Sequence, residues 1–108
     1  MAIPTRDEID LMYNHCCKAV GDPTRIALLY AIHEQARNVT ALAQALDTPQ
    51  PTVSRHLALL KQRGMVIATR DGASVIYSLA DDRVIDVLNL MRSVLHDSIA
   101  RHHDTIDA

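Results

Sequence analysis

Apolar residues recur every three or four positions through the first sixty residues of the chain, which is the spacing of one helix face. The first set predicts a helix over about residues 8–20; its members are Ile9, Met12, Cys16, Ala19 and Val20. Gly21 then fits the position just past a helix end, where glycine adopts a positive φ without strain. Asp22 and Pro23 are typical of a helix cap and a first helical residue, so a second helix is predicted over about 23–34.

Two further helices and a hairpin are predicted next. Thr40 is expected to cap a short third helix, and a turn at 47–51 leads into a fourth helix that Gly64 ends. From Met65 the pattern changes to two β-branched runs, 66–69 and 75–79, which is the composition of a two-stranded hairpin. An isolated ribbon is marginal in water, so this hairpin must lean on the helices.

A long helix with one apolar side is predicted over about residues 81–101. Asp81 and Asp82 place negative charge in its first turn, where the helix dipole favours it. Seven apolar residues follow on one stripe: Val84, Val87, Leu88, Met91, Val94, Leu95 and Ile99. The predicted fold is therefore mainly helical with a small β-hairpin wing, in the order α-α-α-α-β-β-α. This order is typical of a winged helix-turn-helix, here one domain of residues 1–108 with the helix-turn-helix at about 40–63 and the wing at about 66–79.

Composition restricts the class of protein. Of the 108 residues, 48% are apolar and 22% charged, a balance typical of a folded globular domain. The sequence lacks both an apolar run of about 20 residues and a signal-peptide pattern, so we expect a cytoplasmic protein without a membrane partner. It also lacks a glycine-rich phosphate loop and a nucleophile elbow, so an enzyme is not expected.

The predicted fourth helix carries a polar face suited to double-stranded DNA. Residues 50–75 hold four basic side chains against one acidic, a balance of +3, whereas the remainder of the chain sums to −5. The second helix of a helix-turn-helix enters the major groove through its N-terminal polar face, and Gln, Arg, Ser and Thr can bind base edges or phosphates there. The candidate contacts are Gln50, Thr52, Ser54, Arg55 and His56 on this helix, with Arg70 and Ser74 at the wing tip. His56 is expected to face either the protein or the DNA backbone.

Three blocks of the sequence together resemble the ArsR/SmtB-type transcriptional repressors. They are residues 19–26 (AVGDPTRI), residues 52–60 (TVSRHLALL), and the wing segments GMV at 64–66, RDG at 70–72 and VIY at 75–77. The likeness covers about residues 10–95 in the order and spacing of the family. It implies a homodimer built from the first and last helices, operator binding in the free state, and release when an inducer binds.

The last helix gives an independent reason to expect a homodimer. Its apolar stripe exceeds what a 108-residue subunit with three other packed helices needs to cover. A two-fold dimer would place two recognition helices one DNA turn, about 34 Å, apart. The alternative is that this helix folds back over its own core.

Cys16 and Cys17 are the candidate sensing residues. The pair resembles the vicinal cysteines with which some family members bind arsenite or other thiophilic ions, although the third cysteine of those sites is missing, so His15, water or the other subunit would supply the third donor. A redox sensor using the same thiols is the rival hypothesis, and burial of Cys16 as a small hydrophobe is the structural alternative. Two other metal sites of the family are not transferred, because Asn38 and Thr40 stand where one site has its two cysteines, and Arg83 and Val94 stand where the other has its two histidines.

Histidines near the end of the chain suggest a further metal alternative. His96 and His103 lie seven residues apart on one helix face, about 10 Å, which is too far for one ion unless another chain contributes. Together with His102 and His15 they define a zinc or nickel hypothesis, against solvated tail histidines as the simpler interpretation. A function of a different class is a protein-interaction module, because winged helices also mediate protein contacts.

Overall fold

The computed structural model describes the backbone of residues 2–107 and the side chains of residues 2–102. Its helices are α1 (Arg6–Met12), α2 (Lys18–Val20), α3 (Pro23–Glu34), α4 (Val39–Ala45), α5 (Gln50–Gln62) and α6 (Arg83–Asp107). A π-helical segment, Tyr13–Cys17, joins α1 to α2 without a break. An antiparallel hairpin of β1 (Val66–Asp71) and β2 (Ser74–Leu79) lies between α5 and α6, so the mainly helical order with one hairpin is confirmed.

The N-terminal helical segment differs from its prediction in three ways. It begins at Arg6, because the Thr5 hydroxyl accepts a hydrogen bond from the Glu8 N–H at 3.1 Å. Its π-helical residues break the regular spacing that the apolar pattern predicted. The positive φ expected of Gly21 is wrong, since its φ is −82°. Glycine is needed there for another reason: a Cβ would lie 2.9 Å from the carbonyl oxygen of Cys17.

Helix caps explain where α3 and α4 begin. The Asp22 carboxylate accepts hydrogen bonds from the N–H groups of Thr24 and Arg25 at 2.8 and 3.2 Å, as its cap position predicts. The prediction that Thr40 caps the next helix is wrong. Asn38 is the cap, because its side-chain oxygen accepts from the Ala41 N–H at 2.9 Å, the ordinary spacing from a cap to the third helical residue.

Helix α5 ends in a Schellman motif at Gly64. Gly64 has a φ of +75° and donates to the carbonyl of Lys61 at 3.0 Å, while Met65 donates to that of Leu60 at 2.9 Å. These are the two hydrogen bonds of that motif, which requires a left-handed residue. The prediction that Gly64 ends the helix is confirmed.

The hairpin is more regular than predicted. Arg70, Asp71 and Ser74 belong to the strands, Asp71 pairs with Ser74, and only Gly72 and Ala73 remain as the turn. Gly72 has the positive φ, +61°, that a type II′ turn needs at its first central residue. Tyr77 exchanges two backbone hydrogen bonds with Arg37, at 2.8 and 3.3 Å, which fixes the wing to the loop before α4.

The core lies between α3, α4 and α5. Its largest fully buried side chains are Leu28, Leu29, Leu42, Leu57, Leu60 and Val53. Among its described residues, the last helix buries Ile85 and Leu88 in this core and packs the partly buried Val84 against it, whereas Leu90, Met91, Val94, Leu95 and Ile99 are exposed. The alternative that α6 folds back over its own core is therefore wrong.

Asp81 and Asp82 precede α6 rather than lying in its first turn, and the Asp81 carboxylate accepts from the Arg83 N–H at 3.0 Å. No helix in the part of the chain that the structure describes combines the length and apolar character that crossing a bilayer requires.

Candidate nucleic-acid interface

Helix α5 has one buried and one polar exposed side. Val53, Leu57 and Leu60 are fully buried against the core. The exposed residues of the helix are Gln50, Pro51, Ser54, Arg55, Ala58, Lys61 and Gln62. This orientation matches the one inferred from helical periodicity, so the exposed polar residues of the first two turns face solvent. We call Gln50, Ser54 and Arg55 the polar face of α5.

The turn before α5 sets the position of this face. Asp47 adopts a left-handed conformation, with φ +48°, and the Thr48 N–H donates to the Ala43 carbonyl at 3.0 Å. The Gln50 amide donates to the Thr40 hydroxyl at 3.3 Å across the two helices. No side chain among the described residues caps the start of α5, where Pro49 holds the cap position. Its first N–H groups therefore point outward without a side-chain acceptor.

Thr52 and His56 are less available than the polar face. Both side chains are half-buried. The Nδ1 atom of His56 lies 3.2 Å from Nη1 of Arg25, so one ring nitrogen is engaged inside the protein. Of the two orientations expected for His56, the structure shows the one that faces the protein.

The wing presents a second basic group. Arg70 is exposed in β1 next to the turn, whereas Ser74 is half-buried opposite Asp71. Three other arginines, Arg6, Arg37 and Arg83, form ion pairs with carboxylates. Within the described residues Arg55 and Arg70 have no such partner, so these two guanidinium groups remain available to an anion.

Comparison with known proteins identifies the family. The model of the bacterial regulatory protein arsR family matches residues 22–68, from the cap of α3 into β1. Among solved structures, the cadmium metal-sensor CMTR of Mycobacterium tuberculosis is 33% identical, with a TM-score of 0.65 over 76% of this chain and 85% of that chain. The chain belongs to the arsR family of bacterial regulatory proteins.

Two further relatives agree with this assignment. The transcriptional repressor SmtB of Mycobacterium tuberculosis is 38% identical over 87 residues, which are 81% of this chain and 64% of that protein. This ArsR-family chain thus spans somewhat less than two thirds of the repressor's length. The homodimeric winged helix-turn-helix DNA-binding domain from Mycobacterium bovis shares 28% identity and a TM-score of 0.76, over 95% of this chain and 97% of that one. The winged helix-turn-helix fold is confirmed, and the matching family is one of bacterial regulatory proteins.

The sensing candidates of this ArsR-family chain lie on its surface. Cys16 and Cys17 are both free and exposed in the π-helical segment, so the alternative that Cys16 is buried as a small hydrophobe is wrong for the single subunit. His15 is exposed as well, and its Nε2 lies 3.9 Å from where a Cβ would stand on Gly64. A groove of about 380 Å³ runs along this side of the segment; it is lined by Pro4, Glu8, Ile9, Leu11, Met12, His15 and Cys16.

The described residues do not form a complete metal site in one subunit. No three His, Cys, Asp or Glu side chains among them are grouped closely enough to hold an ion. His96 and His102 are exposed on α6, and the side chain of His103 lies outside the described residues. Among the described residues of one subunit, no third side-chain donor is therefore grouped with Cys16 and Cys17.

Two arginines have contacts that the sequence did not predict. Arg25 donates to the carbonyls of Ala19 and Lys18, at 2.6 and 3.0 Å, in addition to its contact with His56. Arg63 donates to the carbonyl of Asn14 at 2.7 Å. Arg25 lies in the block that resembles the family, and Arg63 lies in the basic region of residues 50–75. Neither sequence feature indicates a hydrogen-bond partner thirty or more residues away.

Proposed function

We propose that this chain is a homodimeric transcriptional repressor that binds operator DNA through α5 and the wing and is released by a thiophilic metal or metalloid ion, such as arsenite, at Cys16 and Cys17. The observation that carries the DNA-binding part is the polar face of α5, held outward by a fully buried opposite side. This proposal includes the predicted cytoplasmic location, because a regulator of transcription must reach the chromosome.

The chemistry of the polar face supports a duplex as the partner. Gln50 can bridge the edge of an adenine, and the exposed guanidinium of Arg55 can bind guanine or a phosphate. The hydroxyl groups of Thr52 and Ser54 can hydrogen-bond to a base edge or to a phosphate. Arg70 at the wing supplies a contact to the DNA backbone, which positions the protein without reading sequence.

Unpartnered apolar surface supports the homodimer. The exposed apolar residues lie on α1 and the π-helical segment (Ile9, Leu11, Met12, Tyr13) and on α6 (Val87, Leu90, Met91, Val94, Leu95, Ile99). Contiguous exposed apolar surface of this kind marks an interaction site in a folded protein. A second copy, joined by a two-fold axis, would cover both sets and present two α5 helices to successive turns of one groove.

The exposed thiols support a soft ion as the inducer. Thiolates are the ligands preferred by soft metal ions, and the similar structure from Mycobacterium tuberculosis is that of a cadmium sensor. With no third donor grouped beside the pair in the described subunit, a partner subunit or water would complete the coordination. Zinc or nickel bound through the histidines of α6 and His15 is the alternative for the inducer.

Geometry favours this hypothesis over a redox sensor based on a vicinal disulfide. Consecutive Cα atoms are about 3.8 Å apart across a trans peptide, whereas disulfides span about 4.4–6.8 Å between Cα atoms. Cys16 and Cys17 also lie in continuous helical backbone, which turns neighbouring side chains apart. A redox mechanism based on a disulfide would therefore join cysteines of two subunits.

To test the DNA-binding proposal, a duplex is first selected from a library of random sequences by its binding to the wild-type protein. Affinity should fall steeply as salt rises, with a log–log slope near −0.9 for each phosphate neutralised. Arg55→Ala should weaken binding by about 1–3 kcal/mol, or roughly 5- to 150-fold, and less on random duplex. Arg92→Ala, which removes the same charge from α6, serves as the matched control and should bind as wild type.

The outcomes separate the candidate functions. An equal loss on selected and random duplex would assign Arg55 to phosphate alone. Failure to enrich any duplex, with binding that does not respond to salt, would remove the DNA-binding proposal and leave the protein-interaction module.

The sensing proposal is tested by titrating the protein–DNA complex with arsenite, cadmium, zinc, nickel and peroxide in separate experiments. Wild type should dissociate with arsenite or cadmium, and the Cys16→Ser, Cys17→Ser double variant should not. A full response in the double variant would eliminate the thiol site. Loss of a nickel or zinc response in a variant with His96, His102 and His103 changed to Ala would favour the histidine alternative instead.

A further inference from the structure

The segment that carries the two cysteines is held to the protein by polar contacts rather than by packing. None of the residues of the π-helical segment is buried, and the first buried side chain after it is Ala19. A π-helical turn is less stable than the α-helix on either side of it. The position of this segment therefore depends on the hydrogen bonds that its carbonyl groups, and those just after it, make with the rest of the chain.

One of these contacts comes from the end of α5. Arg63 is the last residue before the left-handed Gly64, and its guanidinium donates to the carbonyl of Asn14 at 2.7 Å. The ring of His15 lies beside Gly64, within ordinary contact distance of the place a Cβ would occupy. The C-terminal end of the DNA-reading helix thus touches the segment two residues before Cys16.

The second contact comes through α3 and reaches the middle of α5. Arg25 donates through Nε and Nη2 to the carbonyls of Ala19 and Lys18, directly after the cysteines. Its third nitrogen, Nη1, lies 3.2 Å from Nδ1 of His56. Because His56 lies next to Arg55 in sequence, a displacement of the Arg25 guanidinium acts on the part of α5 that carries the polar face.

We propose that Arg25 and Arg63 are positioning residues that transmit the state of the π-helical segment to α5. The two arginines hold the segment on both sides of the cysteines and meet the same helix at its middle and its end. Ligation of both thiols by one ion requires the backbone of this segment to change, because helical geometry directs adjacent side chains apart. The carbonyl acceptors of both arginines move with that change, and α5 is displaced from its DNA-binding position.

The role in DNA release rests on the proposed function, whereas the physical coupling does not. Coupling between sites in allosteric proteins changes affinity by roughly 5- to 150-fold. We expect the ratio of operator affinities without and with cadmium to lie in this range for wild type. In Arg63→Gln the ratio should fall severalfold towards one, and in Arg63→Lys, which keeps a cationic donor, it should recover in part.

The experiment measures this ratio by fluorescence anisotropy for wild type, Arg63→Gln, Arg63→Lys and Arg25→Gln, with Arg92→Gln as the control for loss of a charge. A wild-type ratio in Arg63→Gln would overturn the inference. Arg63 is the decisive position because it makes one hydrogen bond at the surface, whereas Arg25→Gln removes three contacts and can impair folding. Circular dichroism and sedimentation verify that each variant is folded and has the wild-type association state.

A second readout requires neither DNA nor a metal. The exposed thiols are alkylated with N-ethylmaleimide, and the amide NMR signals of α5 are compared before and after. Signals near His56 and Arg63 should shift in wild type, and the shift at the C-terminal end should be much smaller in Arg63→Gln. Unmoved α5 signals in alkylated wild type would overturn the coupling. Shifted signals together with operator binding that ignores arsenite and cadmium would refute the proposed sensing function and leave the coupling in place.

Discussion

Replacing Gly64 by alanine is expected to destabilise the protein through backbone conformation alone. Gly64 has a φ of +75°, and the nearest atom to an added Cβ is Nε2 of His15 at 3.9 Å, an ordinary contact. Steric crowding therefore adds nothing to the cost. The left-handed conformation costs an L-residue about 1–2 kcal/mol. Alanine also reduces the entropy of the unfolded chain, which offsets a fraction of that cost, so the net loss of unfolding free energy is about 1 kcal/mol.

The backbone cannot avoid this cost by leaving the left-handed region. The two hydrogen bonds that close α5, from Gly64 to Lys61 and from Met65 to Leu60, depend on it. Losing them would leave carbonyl groups at the end of the helix without partners. Gly64→Asn should recover part of the stability, because asparagine tolerates left-handed backbone better than alanine does.

Urea unfolding followed by circular dichroism measures these differences, at one protein concentration because association contributes to apparent stability. Gly72→Ala is the comparison variant: its φ is +61° and an added Cβ meets nothing within 4 Å, so a loss at least as large is expected from backbone conformation alone. If Gly64→Ala unfolds at the wild-type urea concentration while Gly72→Ala is destabilised, the assignment of a left-handed end to α5 is refuted.

Three further predictions concern the core, a cap and an acid titration. Leu57→Ala should lower the free energy of unfolding by about 2–5 kcal/mol in urea titrations, because Leu57 is fully buried. Asp22→Ala should cost about 1 kcal/mol in the same assay and Asp22→Asn much less. Burial raises the pKa of Asp22, but the hydrogen bonds from the N–H groups of Arg25 and Thr24 outweigh burial and lower the pKa. The stabilisation of the fold by the ionised Asp22 cap is therefore present above about pH 4 and is lost as pH falls through the lowered pKa. The hydrogen bond from the Arg83 side chain, with that from its N–H, lowers the pKa of Asp81 to about 2; carboxyl NMR titration should show a higher pKa in Arg83→Gln, and an unchanged one would contradict this origin.

The parts of the fold that the sequence predicts are those determined by local chemistry. Asp22 followed by Pro23 defines the start of α3, because a cap and a first-turn proline act within three residues of each other. The spacing of Val53, Leu57 and Leu60 determines which side of α5 is buried. Gly64 marks the end of the same helix for an equally local reason.

The parts that sequence reasoning missed depend on competing or distant partners. Both Asn38 and Thr40 are competent caps, and only the folded backbone shows that the Ala41 N–H meets Asn38. The π-helical segment interrupts a pattern that periodicity alone reads as regular helix. Arg25 reaches His56 and Arg63 reaches Asn14 across the fold, and no local pattern indicates such contacts. The exposure of the thiols likewise follows from how the N-terminal helices lie on the core.

Under the proposed assembly, the exposed apolar stripe of α6 would make occupancy of the operator depend strongly on the concentration of the protein. In that assembly only a dimer carries two copies of α5, so only the dimer binds the operator. At subunit concentrations below the dissociation constant of the dimer, the dimer concentration rises with the square of the subunit concentration. A twofold fall in synthesis then reduces the population able to bind the operator about fourfold, by mass action. The exposed apolar surface of α6 would in this way make binding to the operator fall more steeply than the amount of protein when expression is low.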